Sequence, residues 1–399
     1  MTSLRNAFIF VILGILIIAC HNRKSVNTAN LTDSLNMKND SSLYLFVGTY
    51  TNNDTPAEAK STGIYIYRMN THTGALTPYA ASPATSNPSY LCIDPNKEYV
   101  YAVNENGGPG AGDMGGVSAF RLNPASLQMQ FLNSVSSMGK YPCHISVDAS
   151  GKFVMVANYG SGNFALYRIK KDGSLGNALS VIQHKGKGPH KNQDGPHAHM
   201  IMQDPEGNFV YTADLGTDRI KVYRIDTIKN ELVQVQETSV MPGTGPRHFV
   251  FHPSQPWFYV VGELNGTIEA FTRDKETGAL KRFQVISTLP AGLKKDASCA
   301  AIHISPSGKF LYASNRGDVN TIAIFSINDQ TGELTPVGQQ ETKGRWPRSF
   351  TLDPTGNFLL VANQGTNNVV TFRIDPATGL LHETGMEARI PSPVCLKFY

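Results

Sequence analysis

Apolar residues between positions 346 and 381 occur in short runs, and a polar turn follows each run. The runs at 349–352, 358–362 and 368–374 are rich in β-branched and aromatic residues. Turns made of Asp, Pro, Asn and Gly separate them, and the turn that ends at Gly379 leads into a fourth run. Short runs of this kind between turn residues predict four antiparallel strands joined as a meander.

The second run and its polar end recur along the rest of the chain. The copies lie at 44–48, 99–104, 153–158, 209–214, 257–262, 310–315 and 358–363. They end 48 to 56 residues apart, and such a period with four strands per repeat is typical of a β-propeller. The sequence therefore predicts an all-β fold, a seven-bladed β-propeller, in which blade 1 contains the copy that ends at residue 48.

The two ends of the repeating region look like complementary parts of one blade. The first copy starts at Tyr44 without a first strand before it, whereas residues 392–399 have the pattern of a first strand alone. Pairing the two would complete blade 1 and leave no open sheet edge. We therefore expect the C-terminal strand to join the N-terminal blade and close the ring.

Residues 1–20 carry a basic residue, an apolar run at 7–19 and then Cys20. The run is short for a membrane span and fits the core of a signal peptide. The residues around Cys20 resemble a bacterial lipobox, in which the cysteine is lipidated; an ordinary signal or an uncleaved anchor is the alternative. Residues 21–42 are predicted to be a polar tether and residues 43–399 the propeller domain. We expect a lipid-anchored protein of a bacterial cell envelope, or a cytoplasmic protein if the signal is not used.

The composition mainly excludes other classes of protein and site. The 35 basic and 31 acidic residues give a formal net charge of +4, too weak for the electrostatic footprint of a nucleic-acid-binding protein. Four cysteines on predicted first strands lack the paired spacing of a zinc site: Cys92, Cys143, Cys299 and Cys395. We expect these to be buried free thiols, and we expect a monomer without a metal or another cofactor.

The first strand of a propeller blade lies innermost, and the second strand runs antiparallel to it. The start of the first strand and the end of the second therefore surround the same opening. In alignment of the blades, the first of these positions is occupied by Ser89, Cys143, His199, Arg247, Ala300, Arg348 and Val394. The second position is occupied by Thr49, Glu105, Tyr159, Leu215, Glu263, Arg316 and Gln364.

Most of the charged or titratable residues in these two rings fall in blades 4 to 7. The set is His199, Arg247, Glu263, Arg316 and Arg348, with Glu105 in blade 2. Further histidines lie close to these positions, namely His144 and His248 one position inward, His303 deeper on its strand, and His197 just before His199.

Each of these residues has a structural alternative. A histidine can be satisfied within the core, an arginine can pair with a glutamate of the next blade, and strand-end Asn and Asp are predicted to be structural. Convergence on one opening nevertheless favours an active or binding site. A metal held by Glu263 and the histidines is a further, weaker alternative. The loop at 184–191, HKGKGPHK, either reaches a phosphate or is a solvated surface loop.

At this point the chain resembles a known family, the seven-bladed β-propeller lactonases, which includes bacterial 6-phosphogluconolactonases and fungal carboxy-muconate cyclases. The residues that carry the resemblance are VGTYT at 47–51, YAVNE at 101–105, VANYGSGN at 156–163, GPHAHM at 195–200, GPRHFVFHP at 245–253, GELNGTI at 262–268, IHISPSGKFLYASNRG at 302–317 and PRSFTLDPTGNFL at 347–359. The resemblance implies hydrolysis of a sugar-acid lactone, first of all 6-phosphogluconolactone, by general acid/base activation of water.

The resemblance also implies a catalytic set of a histidine, an arginine sixteen residues before a glutamate, and a later arginine. Arg247 and Glu263 have this spacing, SNRG supplies Arg316, and GPHAH supplies either His197 or His199. Glu263 or the histidine would take the proton of the attacking water, and the arginines would hold the carbonyl oxygen and the charged groups of the substrate. Beside this set, five residues selected by the alignment of blades or close to its positions are expected to contact the substrate: Arg348, Glu105, His144, His248 and His303.

Two other functions stay open. One is related chemistry on a different lactone, such as a muconolactone, or the reverse lactonisation of an unsaturated dicarboxylate. The other is a non-catalytic, surface-anchored propeller that binds a ligand or a protein, because a fold does not fix a function. The predicted export signal argues against a simple transfer of the family's activity on a cytoplasmic phosphorylated lactone.

Overall fold

The computed structural model describes residues 42–51, 61–106, 114–290, 292–293 and 298–399. The predicted signal peptide, its Cys20 and the tether up to residue 41 lie outside the described residues, so they stay predictions. The first strand starts at Ser42, the last residue of the predicted tether. Within the described ranges, no helix is long and apolar enough to cross a membrane.

Strands form nearly all of the regular structure in the described residues. In the described residues they are, from β1 to β28, Ser42–Thr49, Tyr65–Asn70, Leu76–Ala81, Leu91–Ile93, Tyr99–Asn104, Gly116–Leu122, Met129–Ser136, Pro142–Val147, Phe153–Asn158, Asn163–Ile169, Leu175–Gln183, Ala198–Gln203, Val210–Asp214, Arg219–Asp226, Glu231–Ser239, Pro246–Phe251, Trp257–Gly262, Thr267–Arg273, Leu280–Ser287, Cys299–Ile304, Phe310–Asn315, Thr321–Ile327, Leu334–Glu341, Pro347–Leu352, Phe358–Asn363, Asn368–Ile374, Leu381–Arg389 and Pro393–Phe398. One turn of 3₁₀ helix at Gln364–Thr366 lies between β25 and β26.

The described strands assemble into seven antiparallel sheets of four strands each, which are the predicted blades. Blades 2 to 7 use consecutive strands, from β4–β7 to β24–β27. Blade 1 has the order β28-β1-β2-β3, in which Leu45 pairs with Phe398 and Val47 pairs with Leu396. The predicted seven-bladed propeller and its closure by the C-terminal strand are confirmed.

The first strands of the blades form the wall of a central channel. They are β4, β8, β12, β16, β20, β24 and β28, and they contact one another in this order and back to β4. Because every blade has the same strand order, the starts of these strands lie at one end of the channel. We call that end the mouth; the residues predicted to form a site lie there.

The hydrophobic core is divided among the spaces between blades. Seven clusters of buried side chains occur in the described residues, and each joins two neighbouring blades. Buried tyrosines add hydrogen bonds between blades: the Tyr211 hydroxyl donates to the Gly278 carbonyl at 2.9 Å, and the Tyr259 hydroxyl to the Gly332 carbonyl at 2.7 Å. This division lets a long domain fold without one large core.

Polar residues at the ends of the second strands also connect neighbouring blades. The side-chain amides of Asn158, Asn315 and Asn363 donate to carbonyls that follow the fourth strand of the preceding blade, at 2.8 to 3.0 Å. Blade 4 has the acceptor Asp214 at the equivalent position. Its carboxylate lies 2.7 Å from Nδ1 of the buried His184, whose side chain takes the place of the carbonyl partner. These strand-end residues are therefore structural, as predicted, and His184 is occupied rather than free to reach a phosphate.

Candidate active site

A recurring irregularity of the first strands places side chains at the mouth. The pairing of first and second strands shifts register at His199 in β12, at Arg247 in β16 and at Arg348 in β24. Equivalent shifts occur in β8, β20 and β28. A bulge leaves one residue outside the ladder and re-aims its side chain. The bulged residues are the ones that the alignment of blades selected for the opening.

Glu263 joins two buried arginines into what we call the Glu263 cluster. One oxygen of its carboxylate, Oε2, lies 2.8 Å from Nε of Arg247 and 2.9 Å from a terminal nitrogen of Arg316. The arginines are fixed further by carbonyl acceptors: Arg247 donates to Ala300 at 2.7 Å, and Arg316 donates to Cys299 at 3.1 Å. Both arginine side chains are almost fully buried, whereas that of Glu263 is 21% exposed. The sequence left open that an arginine pairs with a glutamate of a neighbouring blade. Arg316 of blade 6 makes such a pair with Glu263 of blade 5, and the pair lies within the candidate site.

The charges of this cluster shift its protonation equilibria. Burial would raise the pKa of the Glu263 carboxyl, but the charges of Arg316, Arg247 and Arg348 outweigh it and hold that pKa below its usual value. Burial and the Arg316 charge lower the pKa of Arg247 to about 10, against the opposing effect of Glu263. Near neutral pH the cluster therefore contains one carboxylate and two guanidinium ions, and its excess positive charge favours an anionic ligand.

A second group, which we call the Glu105 cluster, lies at the same level of the mouth. The Glu105 carboxylate accepts a hydrogen bond from the Ser89 hydroxyl, and its Oε1 lies 3.6 Å from a terminal nitrogen of Arg348. The phenol of Tyr50 also hydrogen-bonds Glu105, and the Arg348 guanidinium lies 5.5 Å from the centre of the Tyr50 ring. Burial raises the pKa of Tyr50, Arg348 opposes the rise and Glu105 adds to it, so the phenol stays protonated.

His199 is buried at the mouth and has an unused nitrogen. Its side chain is 4% exposed, and Nδ1 has no hydrogen-bond partner in any other described residue. Its ring meets the edges of Tyr159 and His248, with centroids 5.7 and 5.2 Å apart. Burial and the Arg247, Arg348 and Arg316 charges hold the pKa of His199 well below its usual value. The imidazole is therefore neutral and has a vacant acceptor or donor nitrogen.

His197 occupies a different place, on the rim of the mouth. Its ring stacks on Tyr159 with centroids 4.7 Å apart, and its Nε2 lies 3.1 Å from the carboxylate of Asp194, which is 85% exposed. Nδ1 lies 3.2 Å from the Tyr159 carbonyl. Both ring nitrogens of His197 thus have partners, which makes it a poorer candidate for proton transfer than His199.

The three other predicted histidines lie deeper in the channel. His248 still reaches the mouth, since a terminal nitrogen of Arg247 lies 3.4 Å from its Nε2, and the His144 ring lies 5.8 Å from that of His248. His303 packs against Phe350, with ring centroids 4.9 Å apart. Burial and the nearby Lys397 charge lower the pKa of His303 to about 3. All three line a separate cavity below the mouth, so the structure divides the predicted set into two layers.

The alignment of blades missed two aromatic side chains that lie beside the predicted arginines, Tyr50 and Trp346. Tyr50 follows a ring position by one residue, and Trp346 precedes one by two; the Arg316 guanidinium lies 5.4 Å from the Trp346 ring, which is 39% exposed. Trp346 has φ of +62°, an unusual conformation for a bulky residue. The repeat could have pointed to Trp346, which directly precedes a proline. The residues at the equivalent position in three other blades are Asn87, Tyr141 and Ser392, and they also precede a proline and have positive φ.

The described residues do not present a metal-binding arrangement. Among them, no three His, Cys, Asp or Glu side chains converge in a geometry that could hold a metal ion. The four cysteines of this part of the chain are free thiols, and burial raises the pKa of Cys143, with Glu105 adding to the rise. The prediction of free thiols is confirmed, although Cys92 is only partly buried.

Comparison with known proteins places the chain in a family. Residues 44–398 match the lactonase family of seven-bladed β-propellers. The 6-phosphogluconolactonase of Bacillus subtilis is 36% identical over 353 residues, which cover 88% of this chain and 97% of that protein. A 6-phosphogluconolactonase of Formosa agariphila is 35% identical over 362 residues, with 89% and 99% covered. Among solved structures, the periplasmic gluconolactonase of Pseudomonas aeruginosa has a TM-score of 0.84 and 32% identity, with 90% of this chain and 99% of that chain covered. The chain belongs to the lactonase family of seven-bladed β-propellers.

Proposed function

We propose that the protein is a lactonase that hydrolyses a sugar-acid lactone, with 6-phosphogluconolactone as the first candidate substrate. The observation that carries the proposal is the buried Glu263 cluster beside the unbonded nitrogen of His199. The relatives named 6-phosphogluconolactonases support it. A propeller that only binds a partner has no need of two arginines buried on one carboxylate next to a neutral imidazole.

Lactone hydrolysis needs two kinds of group. A base must take a proton from water as the water oxygen bonds to the carbonyl carbon, and donors must stabilise the oxyanion that forms. The ring carbon–oxygen bond then breaks, and the leaving alkoxide takes up a proton. Arg247 and Arg316 are buried cations held in place by carbonyl acceptors, and we assign them the oxyanion that forms at the lactone carbonyl and the carboxylate of the product.

We assign the base to His199. Its imidazole is neutral at physiological pH and its Nδ1 is free to accept a proton. The neighbouring arginines repel an imidazolium ion, so proton transfer becomes favourable as the negative oxyanion develops beside them. Glu263 is ionised, but two guanidinium groups already hold its carboxylate, and we assign it the positioning of those arginines.

Two candidate substrates differ by a phosphate group. The P. aeruginosa relative is named a periplasmic gluconolactonase, whereas the B. subtilis relative is named a 6-phosphogluconolactonase. Arg348 is held only at 3.6 Å by Glu105, and it is the guanidinium at the mouth best able to receive a phosphate. The predicted export signal favours the unphosphorylated lactone as the second candidate, since the phosphorylated one is a cytoplasmic intermediate for the family.

We also propose export and lipid anchoring at Cys20, on the support of the signal pattern in residues 1–20. The expected result is wild-type protein in the membrane fraction and its release by Cys20→Ala. Wild-type protein found wholly in the cytoplasmic fraction would contradict the anchor.

The test is hydrolysis of 6-phosphogluconolactone and of gluconolactone by the purified full-length protein. We expect turnover well above the spontaneous rate on at least one of them, and the better substrate decides whether phosphate is recognised. His199→Gln should lower kcat by about 10²- to 10⁴-fold. The matched control His197→Gln should lower it by less than about fivefold, since both ring nitrogens of His197 already have partners and the pair with Asp194 lies at the surface.

Each outcome has a definite consequence. Folded protein without acceleration on either lactone would reject sugar-lactone hydrolysis and leave a different lactone or a binding propeller. A large loss in His197→Gln and a small one in His199→Gln would keep the lactonase and reverse the assignment of the base.

A further inference from the structure

A cavity of about 400 Å³ lies in the channel below the mouth. It is lined by the later residues of the first strands, among them Met200, Met202, His303 and Phe398, so it occupies the part of the channel away from the bulges. Its volume falls within the range of small-molecule sites. None of the steps assigned to lactone hydrolysis uses it.

The charged group of this cavity is the ammonium of Lys397, on the closing strand β28. Its Nζ lies 4.8 Å from the centre of the Tyr90 ring and donates to the Tyr90 hydroxyl at 3.4 Å. Among the described residues, no carboxylate lies within 4.0 Å of this nitrogen. Burial disfavours the ammonium, but Tyr90 and the nearby thiols outweigh burial and raise the pKa of Lys397, so the side chain stays charged. Its hydrogen-bond partner, the Tyr90 hydroxyl, is neutral.

The remaining polar groups of the cavity are neutral. His144, His248 and His303 line it, and burial together with nearby positive charge lowers the pKa of each of them. A neutral imidazole carries one N–H. That of His303 bonds the Phe350 backbone, which leaves His144 and His248 as donors for a ligand. Methionine, phenylalanine, isoleucine and valine form most of the rest of the wall. One cation, neutral donors and apolar walls suit a ligand with a single negative charge and a hydrocarbon part, and they suit a phosphate dianion poorly.

We propose that this cavity is a second binding site, distinct from the lactone site, for a small aliphatic carboxylate. The carboxylate pairs with the Lys397 ammonium and receives a hydrogen bond from the imidazole lining, and the hydrocarbon part packs against Met200, Met202 and Phe398. The ligand supplies the counter-ion that the folded chain itself lacks. The site does not depend on the proposed lactonase activity.

The test is calorimetric titration of the full-length protein with acetate, butyrate and hexanoate near neutral pH. We expect affinity to rise with chain length, because the wall is apolar. Lys397→Met keeps the length of the side chain and removes the charge, and it should weaken hexanoate binding at least about tenfold. Arg348→Gln, the matched loss of a cation at the mouth, should change hexanoate binding by less than about threefold.

Thermal melting makes the titration interpretable. Hexanoate should raise the melting temperature of the wild type and of Arg348→Gln, and it should leave that of Lys397→Met unchanged. Equal hexanoate affinity in the wild type and Lys397→Met would overturn the proposal. The proposal would also be overturned if Arg348→Gln, rather than Lys397→Met, lost hexanoate binding, or if the folded wild type bound no hexanoate.

Discussion

Glu263 and Glu105 occupy equivalent backbone positions, just after the second strands of blades 5 and 2, but the structure gives them different neighbours. Glu263 lies within 2.9 Å of two guanidinium groups that are themselves almost fully buried. Glu105 bonds a serine hydroxyl and a phenol, and its one arginine is at 3.6 Å. The repeat of the fold thus supplies a position at the mouth in every blade, and the residues facing that position decide what chemistry it can support.

The difference also separates two kinds of energetic role. Removing Glu263 would leave two buried positive charges without their shared counter-ion, and a broken buried ion pair costs several times more than an exposed one. Removing the Glu105 charge would leave hydroxyl groups and Arg348, which is 19% exposed and can be rehydrated. We therefore expect the Glu263 cluster to be rigid and essential, and the Glu105 cluster to be adjustable.

The largest expected effect comes from comparing Glu263→Gln with Glu105→Gln. Glu263→Gln should lower kcat/KM on the accepted lactone by roughly 10²- to 10³-fold, because Arg247 and Arg316 lose the group that orients them. It should also lower the free energy of unfolding by about 3 kcal/mol. Glu105→Gln should cost less than about tenfold in kcat/KM and about 1 kcal/mol in stability. Steady-state kinetics and denaturant unfolding of both variants measure the four quantities.

Two results would break this contrast. Equal losses of kcat/KM in the two variants would mean that both clusters act on the substrate as one unit. A loss in Glu263→Gln confined to stability, with kcat/KM intact, would remove Arg247 and Arg316 from the proposed reaction.

The pH dependence of stability gives a further test of the role of the Glu263 carboxylate. The folded pKa of Glu263 is depressed below its ordinary value of 4.5. Its contribution is therefore fully present above pH 4.5 and is lost as the pH falls through the folded pKa. We expect the difference in melting temperature between the wild type and Glu263→Gln to be constant from pH 8 to pH 5, roughly, and to shrink below that. A difference that widens on acidification would mean that the carboxyl is protonated in the native cluster.

The fold could be predicted from the sequence because a propeller repeats one local pattern. The recurring second strand set the number of blades, and Tyr44 at one end with Val394 near the other set the closure of the ring. The ring positions were also predictable, since they follow from strand order alone. For this reason Arg247, Glu263, Arg316 and His199 could be selected without knowing any distance.

The contacts among those residues could not be predicted. Arg348 reaches Glu105 across blade 1 and also lies beside the Tyr50 ring, and these contacts depend on the curvature of the closed ring. The register shift at the bulges has no separate sequence signal, although it decides which side chain of each first strand faces the mouth. The alignment places His303 deeper on its strand, but it could not show that the channel opens there into a cavity below the mouth.

The smallest expected effect is that of Tyr50→Phe, which tests how far the Glu105 cluster can adjust. The change removes the hydroxyl that bonds Glu105 and keeps the ring beside Arg348. Because Glu105 retains Ser89 and Arg348, we expect a loss of about 1 kcal/mol in the free energy of unfolding and less than about fivefold in kcat/KM. Denaturant unfolding and steady-state kinetics, with Ser89→Ala as the matched removal of the other hydroxyl, measure the effect. A loss of kcat/KM as large as that of Glu263→Gln would instead place Tyr50 in the reaction and make the two clusters equal partners in it.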